Sequence, residues 1–367
     1  MASANRDHYC RKLRGAWKPG LSRRDVLVLV LVFGTGFLFL FPYLFDSRMT
    51  ARRRLCDYRQ MSLGRALLRY EAKFGEFPGY RDSLDPRQED APIVGWTYSI
   101  LPYVGLSYSR KDIEYRPRKD KRLGPWNDIQ QQDGGTDPGD SQHALATIYI
   151  PDLVCPDDSP PHLAQSGKPV AWSSFVVNGG LPDALQEPGT RQFPADWPAN
   201  GIFQDGVDRH PDLAKVTLES IQSADGAANT LMLSENLDSG LWTADEEAGL
   251  TFLWVARSQA GNPDPGKQLL RLNQRGGQGQ GSGKVLFARP SSRHRGGVNV
   301  VYADGHTEFL SDEIDYAIYT YKMTVNGQHL RRPGTDQPIG PPYQQAEDTS
   351  RAVPAGQPPV NAERTSP

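Results

Sequence analysis

Val26–Phe45 reads VLVLVLVFGTGFLFLFPYLF, twenty residues without a charged side chain, closed by Asp25 and Asp46. At about 1.5 Å per helical residue the stretch spans roughly 30 Å, the thickness of a bilayer's hydrocarbon core. Both flanks are rich in arginine. A cleaved signal peptide would have a shorter apolar centre and a small-x-small exit, which Tyr43-Leu44-Phe45-Asp46-Ser47-Arg48 does not offer. A buried core helix does not need twenty uninterrupted apolar residues. The stretch therefore reads as a retained transmembrane helix facing the lipid bilayer from Val26 to Phe45, with Pro42 expected to kink it near its exit.

On the N-terminal side, residues 1–25 carry Arg6, Arg11, Lys12, Arg14, Lys18, Arg23 and Arg24, a basic cytoplasmic lead by composition. The far flank holds Arg48, Arg52, Arg53, Arg54, Arg59 and Arg65, so charge alone decides the orientation only weakly. Beyond the anchor, apolar residues recur at Met49, Cys56, Leu63, Leu67, Tyr70 and Phe74, one stripe of a continuing helix. Arg52, Arg53, Arg59, Arg65, Arg69 and Lys73 form the opposite face, Gly75 is a C-cap and Pro78 a stop. The alternative is two helices broken at Pro42.

The rest of the chain favours short strands joined by turns, as 36 glycines and 30 prolines in 367 residues suggest. Strand-like runs are Ala144–Val154, Trp172–Asn178, Gly201–Phe203, Leu231–Asn236, Thr251–Val255, Val298–Tyr302 and His306–Leu310. The last two flank Ala303-Asp304-Gly305, an Asp-Gly hairpin. Trp96–Val104 is an apolar segment near the core, Arg110–Gly139 a surface insertion, and Asp312–Lys322 a short helix. The Pro/Gln-rich residues 323–367 read as a disordered tail. The fold expected is α+β: a long transmembrane-to-soluble helix packed on an antiparallel sheet, with residues 46–322 as the ectodomain.

A formal charge of −2 argues against nucleic acid as a partner. Gly283-Lys284 ends a glycine loop but lacks a phosphate-loop pattern, with Gln278 and Val285 at the deciding positions. His294, Asp304 and His306 are residue types that ligate zinc or iron, yet Asp304 also suits a hairpin turn and no third ligand is fixed. Glu235, Asp304 and Glu308 are the carboxylates a glycosidase would need, without a spacing that brings them together. No catalytic, metal or cofactor constellation stands out, and an enzyme is not expected. Cys56 and Cys155 are either separate buried thiols or, in an oxidising compartment, a disulfide tying the helix to the domain, worth about 4 kcal/mol in the chain-entropy model.

Several motifs, in order, resemble one family. Ser292-Arg293-His294-Arg295-Gly296-Gly297-Val298-Asn299-Val300 continues to Ala303-Asp304-Gly305, with nine residues between His294 and Asp304. This is similar to the signature of the bacterial prepilin-type, processing-associated His-x9-Asp-Gly family of membrane-anchored, pilin-like proteins. Arg52 to Cys56 with Phe74-Gly75-Glu76-Phe77-Pro78 resembles that family's helix and exit, and Trp96 to Tyr103 its Trp…Leu-Pro-Tyr segment. Cys155-Pro156-Asp157-Asp158 resembles its Cys-Pro turn, and Asp225-Gly226 through Asn229-Thr230 to Glu235 its Asp-Gly…Asn-Thr…Glu motif. The departure is at the start: Ser22-Arg23-Arg24-Asp25-Val26-Leu27-Val28 has no Gly-Phe-Thr-Leu-Val-Glu-like cleavage junction. The resemblance implies a single-pass pseudopilin-like protein of the cytoplasmic (inner) membrane. Its N-terminus would be inside, its domain periplasmic, and its partners other pilin-like subunits or copies of itself.

Overall fold

The computed structural model describes residues 22–83, 87, 93–104, 149–158, 172–183, 193–210, 213–242, 245–255, 272–273 and 288–340, except the side chains of residues 36 and 38–46. The surface insertion, the glycine loop, most of the basic lead and the end of the tail lie outside them, as do residues 144–148 of one expected strand.

Helix α1 (Arg23–Phe74) is a single 52-residue element that continues through Pro42, so the two-helix alternative is not adopted. Among the described residues no helix is long and apolar enough to cross a membrane. Much of the expected span has side chains outside that set. The chain divides into two compact units, Met1–Arg52 and Arg53–Pro367. In the first, the helix turns apolar side chains outward all round, from Val26 to Phe33 at exposures between 40% (Leu29) and 70% (Phe33).

The second unit is built on a five-stranded sheet. Its strands are β3 (Phe175–Gly180), β4 (Leu231–Glu235), β5 (Thr251–Leu253), β6 (Gly297–Tyr302) and β7 (Thr307–Ser311), in the order β5-β3-β4-β6-β7. All neighbours pair antiparallel except β3 and β5, which run parallel. A small antiparallel pair, β1 (Arg81–Ser83) and β2 (Ile93–Gly95), leads into α2 (Trp96–Ile100). The expected strand at Gly201–Phe203 is instead an irregular buried segment, held by the Phe203 N–H donating to the Asn178 carbonyl.

The α1 stripe lies on one face of this sheet. Cys56, Leu63, Ala66 and Leu67 are buried in one cluster with Val177, Met232, Leu233, Val301 and Ala303. Met49 and Phe74, at the ends of the expected stripe, stay exposed. Gly75 takes φ +73° and ends the helix, as the sequence requires. Arg65, Arg69 and Lys73 face solvent, and the Arg53 guanidinium sits 4.0 Å over the Phe309 ring. The opposite sheet face buries Val176, Leu231, Val298, Val300 and Tyr302 against α5 (Tyr316–Met323) and the Phe252–Trp254 segment; α3 (Leu218–Gln222) and α4 (Glu247–Leu250) are the remaining short helices. Because both faces are covered, β6 is buried along its whole length, and its alternation sorts side chains between two cores.

The hairpin forms where Asp304-Gly305 predicts it. The turn closes through the Gly305 N–H to the Tyr302 carbonyl (2.9 Å), with Gly305 at φ +90°. The helix expected at Asp312–Lys322 is the shorter α5, capped by the Asp315 carboxylate accepting from the Ala317 N–H (2.7 Å).

The tail is a correction. Residues 323–340 belong to the domain: Val325, Leu330 and Ile339 are buried, and Arg331 bridges Pro338. Asn200 holds this segment from both sides, accepting from the Arg331 N–H (3.1 Å) and donating to the Arg331 carbonyl (2.7 Å). Pro/Gln composition hid three apolar anchors, Val325, Leu330 and Ile339, spaced along a strap that turns at 327–329 and 333–335. Residues 341–367 lie outside the described residues.

Helix α1 lies tight against the sheet at Gly64, where an added Cβ would stand 2.8 Å from Val301 Cγ1. Val301 is β-branched and fully buried, so it cannot swing aside. Gly64→Ala should therefore destabilise the domain by about 1–2 kcal/mol despite alanine's better helix propensity. Denaturant unfolding checks this; a stabilised variant would show that the helix does not dock here.

Candidate functional site

Four side chains converge at the start of the buried stripe of α1. Among the described side chains of the helix, Cys56 is the first that is buried. Glu235 ends β4, Cys155 opens the turn after the 3-10 segment Pro151–Leu153, and His294 lies in the turn before β6. Their ligand-type atoms all lie within 4.8 Å of one another, and all four residues are buried. The Cys56 thiol donates to Glu235 Oε1 at 2.8 Å. His294 Nε2 lies 3.1 Å from the same oxygen and 3.4 Å from Cys155 Sγ.

Each member is held by its own local structure. The Asp158 N–H donates to the Cys155 carbonyl (2.9 Å), closing the Cys-Pro-Asp-Asp turn. The Cys155 N–H donates to Ser174 Oγ (3.0 Å) on the approach to β3. The His294 N–H donates to Ser292 Oγ (3.0 Å), whose hydroxyl donates to the Gly297 carbonyl (2.7 Å). Around the four stands a second set of contacts: His294 Nδ1 faces Asp157 Oδ2 at 3.3 Å, and Glu235 Oε2 accepts from the Asn299 N–H (3.0 Å). Glu235 thus spends one oxygen on the cluster and the other on the neighbouring strand.

The protons are unevenly shared. Hydrogen bonds from His294 to Cys155 and Glu235 overcome the cost of burial and push the imidazole up to about 10. The Cys56 hydrogen bond, aided by His294, lowers the Cys155 thiol against its burial. Burial, then Cys155 and Glu235, raise the Cys56 thiol well above its ordinary value. The arrangement holds an imidazolium between a carboxylate and a thiolate-prone sulfur, and among the described residues it is the group of His, Cys and carboxylate side chains able to hold a metal ion.

All four residues are legible singly, but the sequence offers a pairing only for Cys56 and Cys155. Cys56 and Cys155 are side by side as free cysteines, with His294 and Glu235 against them. The metal set considered from sequence is not assembled: Asp304 pairs with His306 (2.6 Å) on the exposed hairpin, whereas His294 is buried in the cluster. The carboxylates weighed for glycoside cleavage also separate by environment, with Glu235 buried, Asp304 on the turn, and Glu308 accepting from the Tyr302 hydroxyl. The remaining signature residues build structure. Asp225 Oδ2 accepts from Thr324 Oγ1 and the Gly327 N–H, both at 2.7 Å, with Gly226 at φ +94°. Asn229 Nδ2 donates to the Asp225 carbonyl (3.0 Å), and Thr230 Oγ1 to the Thr324 carbonyl (3.2 Å). Gly297, against the Leu310 carbonyl, leaves no room for a Cβ.

A second polar cluster carried no sequence signal. The Tyr80 hydroxyl donates to Asp183 Oδ2 (2.7 Å), Arg81 pairs with Asp205, and Asp196 Oδ2 accepts from the Asp205 N–H (2.6 Å). Arg81, Asp183, Asp196 and Asp205 line a cleft of about 470 Å³. Burial raises the carboxyls of Asp183, Asp196 and Glu247, and neighbouring carboxylates add to it. Tyr80, Asp183, Asp196 and Asp205 lie outside the α-helices and the strands, while Arg81 opens β1 and Glu247 opens α4.

Two outcomes follow. Glu235→Ala removes the acceptor shared by Cys56, His294 and Asn299, and should cost about 3 kcal/mol or more in denaturant unfolding; a loss under 1 kcal/mol would show the cluster to be energetically idle. Beside the cleft, burial lifts the half-buried Asp82 from 3.8 to about 6. Because this folded value exceeds the unfolded one, Asp82's contribution is complete below about 4 and is lost as pH rises through about 6, a loss of at most roughly 3 kcal/mol. Asp183, Asp196 and Glu247 act with the same sign. The melting temperature should fall between pH 5 and pH 7, and fall less in Asp82→Asn; an unchanged slope in that variant would exclude Asp82 as the source.

No curated protein and no solved structure matches the chain. A family model described as a protein of unknown function (DUF1559) matches residues 46–317, which covers the docked part of α1, the whole sheet and all four clustered residues. The chain belongs to this DUF1559 family.

Proposed function

We propose that the chain is a membrane-anchored, pilin-like structural or interaction protein of the cell envelope, similar to the pseudopilins of secretion and pilus-type assemblies. Its role is architectural rather than enzymatic. The observation that carries this reading is the change of character along α1. From Val26 to Phe33 every side chain is apolar and exposed, whereas from Cys56 to Leu67 one stripe is buried on the sheet. A helix apolar all round needs an apolar surrounding, and a single bilayer-spanning helix supplies it without further protein. The His294-x9-Asp304-Gly305 signature, with its ordered companions, supports the pilin-like assignment.

In this reading the N-terminus lies on the cytoplasmic side of the inner membrane and the domain outside it. The missing prepilin junction before Val26 favours an uncleaved anchor over a polymerising subunit. Partners are other pilin-like subunits or a second copy of the chain. A second reading, an extracytoplasmic glycan-binding module or hydrolase, is favoured by the cleft with its raised Asp183 and Asp196 carboxyls. Asp196→Asn separates the two, since loss of a glycan-dependent activity with folding intact belongs only to the second.

The full chain should sediment with membranes and resist alkaline extraction, while Leu29→Arg with Val32→Arg should release most of it as folded protein. Crosslinking and mass spectrometry on intact membranes should then find the domain joined to a pilin-like neighbour or to itself. Quantitative release of the unmodified chain by alkali, or a mature N-terminus near Val26, would overturn the uncleaved anchor.

A further inference from the structure

We propose that Cys56, Cys155, His294 and Glu235 form a closed structural zinc site that fastens the first docked turn of α1 to the sheet. The donor set is two sulfurs, one imidazole nitrogen and one carboxylate oxygen, a combination suited to zinc and too poor in thiolate for an iron–sulfur cluster.

Three ligand-to-ligand contacts can be set against a tetrahedron, and all four ligand atoms lie within 4.8 Å of one another. Metal–ligand distances of about 2.0–2.3 Å give tetrahedral edges of roughly 3.3–3.8 Å. The contacts of 3.4 Å between Cys155 Sγ and His294 Nε2 and of 3.1 Å between His294 Nε2 and Glu235 Oε1 lie near those edges. The 2.8 Å contact from Cys56 Sγ to Glu235 Oε1 would widen by somewhat under 1 Å. His294 presents Nε2 to the cluster and turns Nδ1 to Asp157, the carboxylate–histidine arrangement that fixes a ligating tautomer. Glu235 presents Oε1 and has Oε2 held by Asn299, so one oxygen is aimed and the other restrained.

Protonated, the same cluster crowds two thiols and an imidazolium around one carboxylate in a dry interior. Zinc binding would form two Zn–S, one Zn–N and one Zn–O bond and release the thiol and imidazolium protons to solvent. All four positions are filled by protein and buried, leaving no open position for substrate water, which makes the site structural. The ligands come from α1, the turn after Pro151–Leu153, β4 and the turn before β6, so one ion would tie four separate segments.

The full chain, extracted in detergent without chelator, should carry one zinc per chain by elemental analysis. Exchange with cobalt should give the visible bands of tetrahedral cobalt together with sulfur-to-cobalt charge transfer. Cys10→Ser should leave both unchanged, Cys155→Ser should abolish or strongly reduce the charge transfer, and Asp157→Asn, which keeps all four ligands, should weaken zinc binding about 10–100-fold. Two results would overturn the proposal. One is a single titratable thiol per unfolded, unreduced chain with no zinc, which means Cys56 and Cys155 are joined as a disulfide. The other is three titratable thiols with neither zinc nor a cobalt spectrum after incubation with either metal.

Discussion

The contact on which the second unit depends is the docking of α1 against the sheet at Gly64. A missing side chain there lets the helix close on Val301 and Met232. That approach sets the depth at which Leu63 and Leu67 enter the core, each worth about 1.5–3 kcal/mol in burial. A register shift between Leu231 and Leu233 interrupts the alternation of β4 beneath it, and Met232 and Leu233 both join the helix-side cluster. The sheet therefore presents more apolar surface to α1 than a regular strand would.

Much of this is legible because it is periodic. The stripe from Cys56 to Tyr70 is periodic in 3.6 residues and is sharply opposed by arginines, which leaves one face to bury. The β6–β7 hairpin announces itself through Asp304-Gly305, since the turn needs the positive φ that Gly305 supplies. Less was visible where burial is complete on both sides or structure is aperiodic. Trp96–Ile100 is apolar without a resolvable period and turned out to be a helix. The 323–340 strap relies on three separated apolar residues and a distant amide, Asn200, which composition cannot reveal.

The site was legible as parts and not as a whole. Cys56 and Cys155 suggest a pair if the domain lies in an oxidising compartment, whereas His294 groups by residue type with Asp304 and His306, and Glu235 with Asp304 and Glu308. What joins them is register. Ser234 pairs with Val300, which sets Glu235 beside Asn299 and the turn carrying His294. That pairing spans more than sixty residues and follows from strand order, which no local spacing encodes. The acidic cleft is further from reach, since Tyr80, Asp183, Asp196 and Asp205 come from loops whose only signal is polarity.

The position of the cysteine cluster along α1 gives it a mechanical meaning. Residues 47–55 of the helix are exposed, and Cys56 is the first buried side chain after them. A helix held only by its distal stripe frays from its first docked turn, because that turn has a buried neighbour on one side and solvent on the other. Leu63 and Gly64 lie two turns further along and cannot prevent that opening. Arg59 helps, its guanidinium donating to the Val154 carbonyl (2.6 Å), but a half-buried hydrogen bond is a weak restraint. The buried contact of Cys56 with Glu235 of β4 is therefore placed where opening would begin. A pull along the helix from its apolar, exposed end would meet its first buried polar contacts at Cys56, after the Arg53–Phe309 stack.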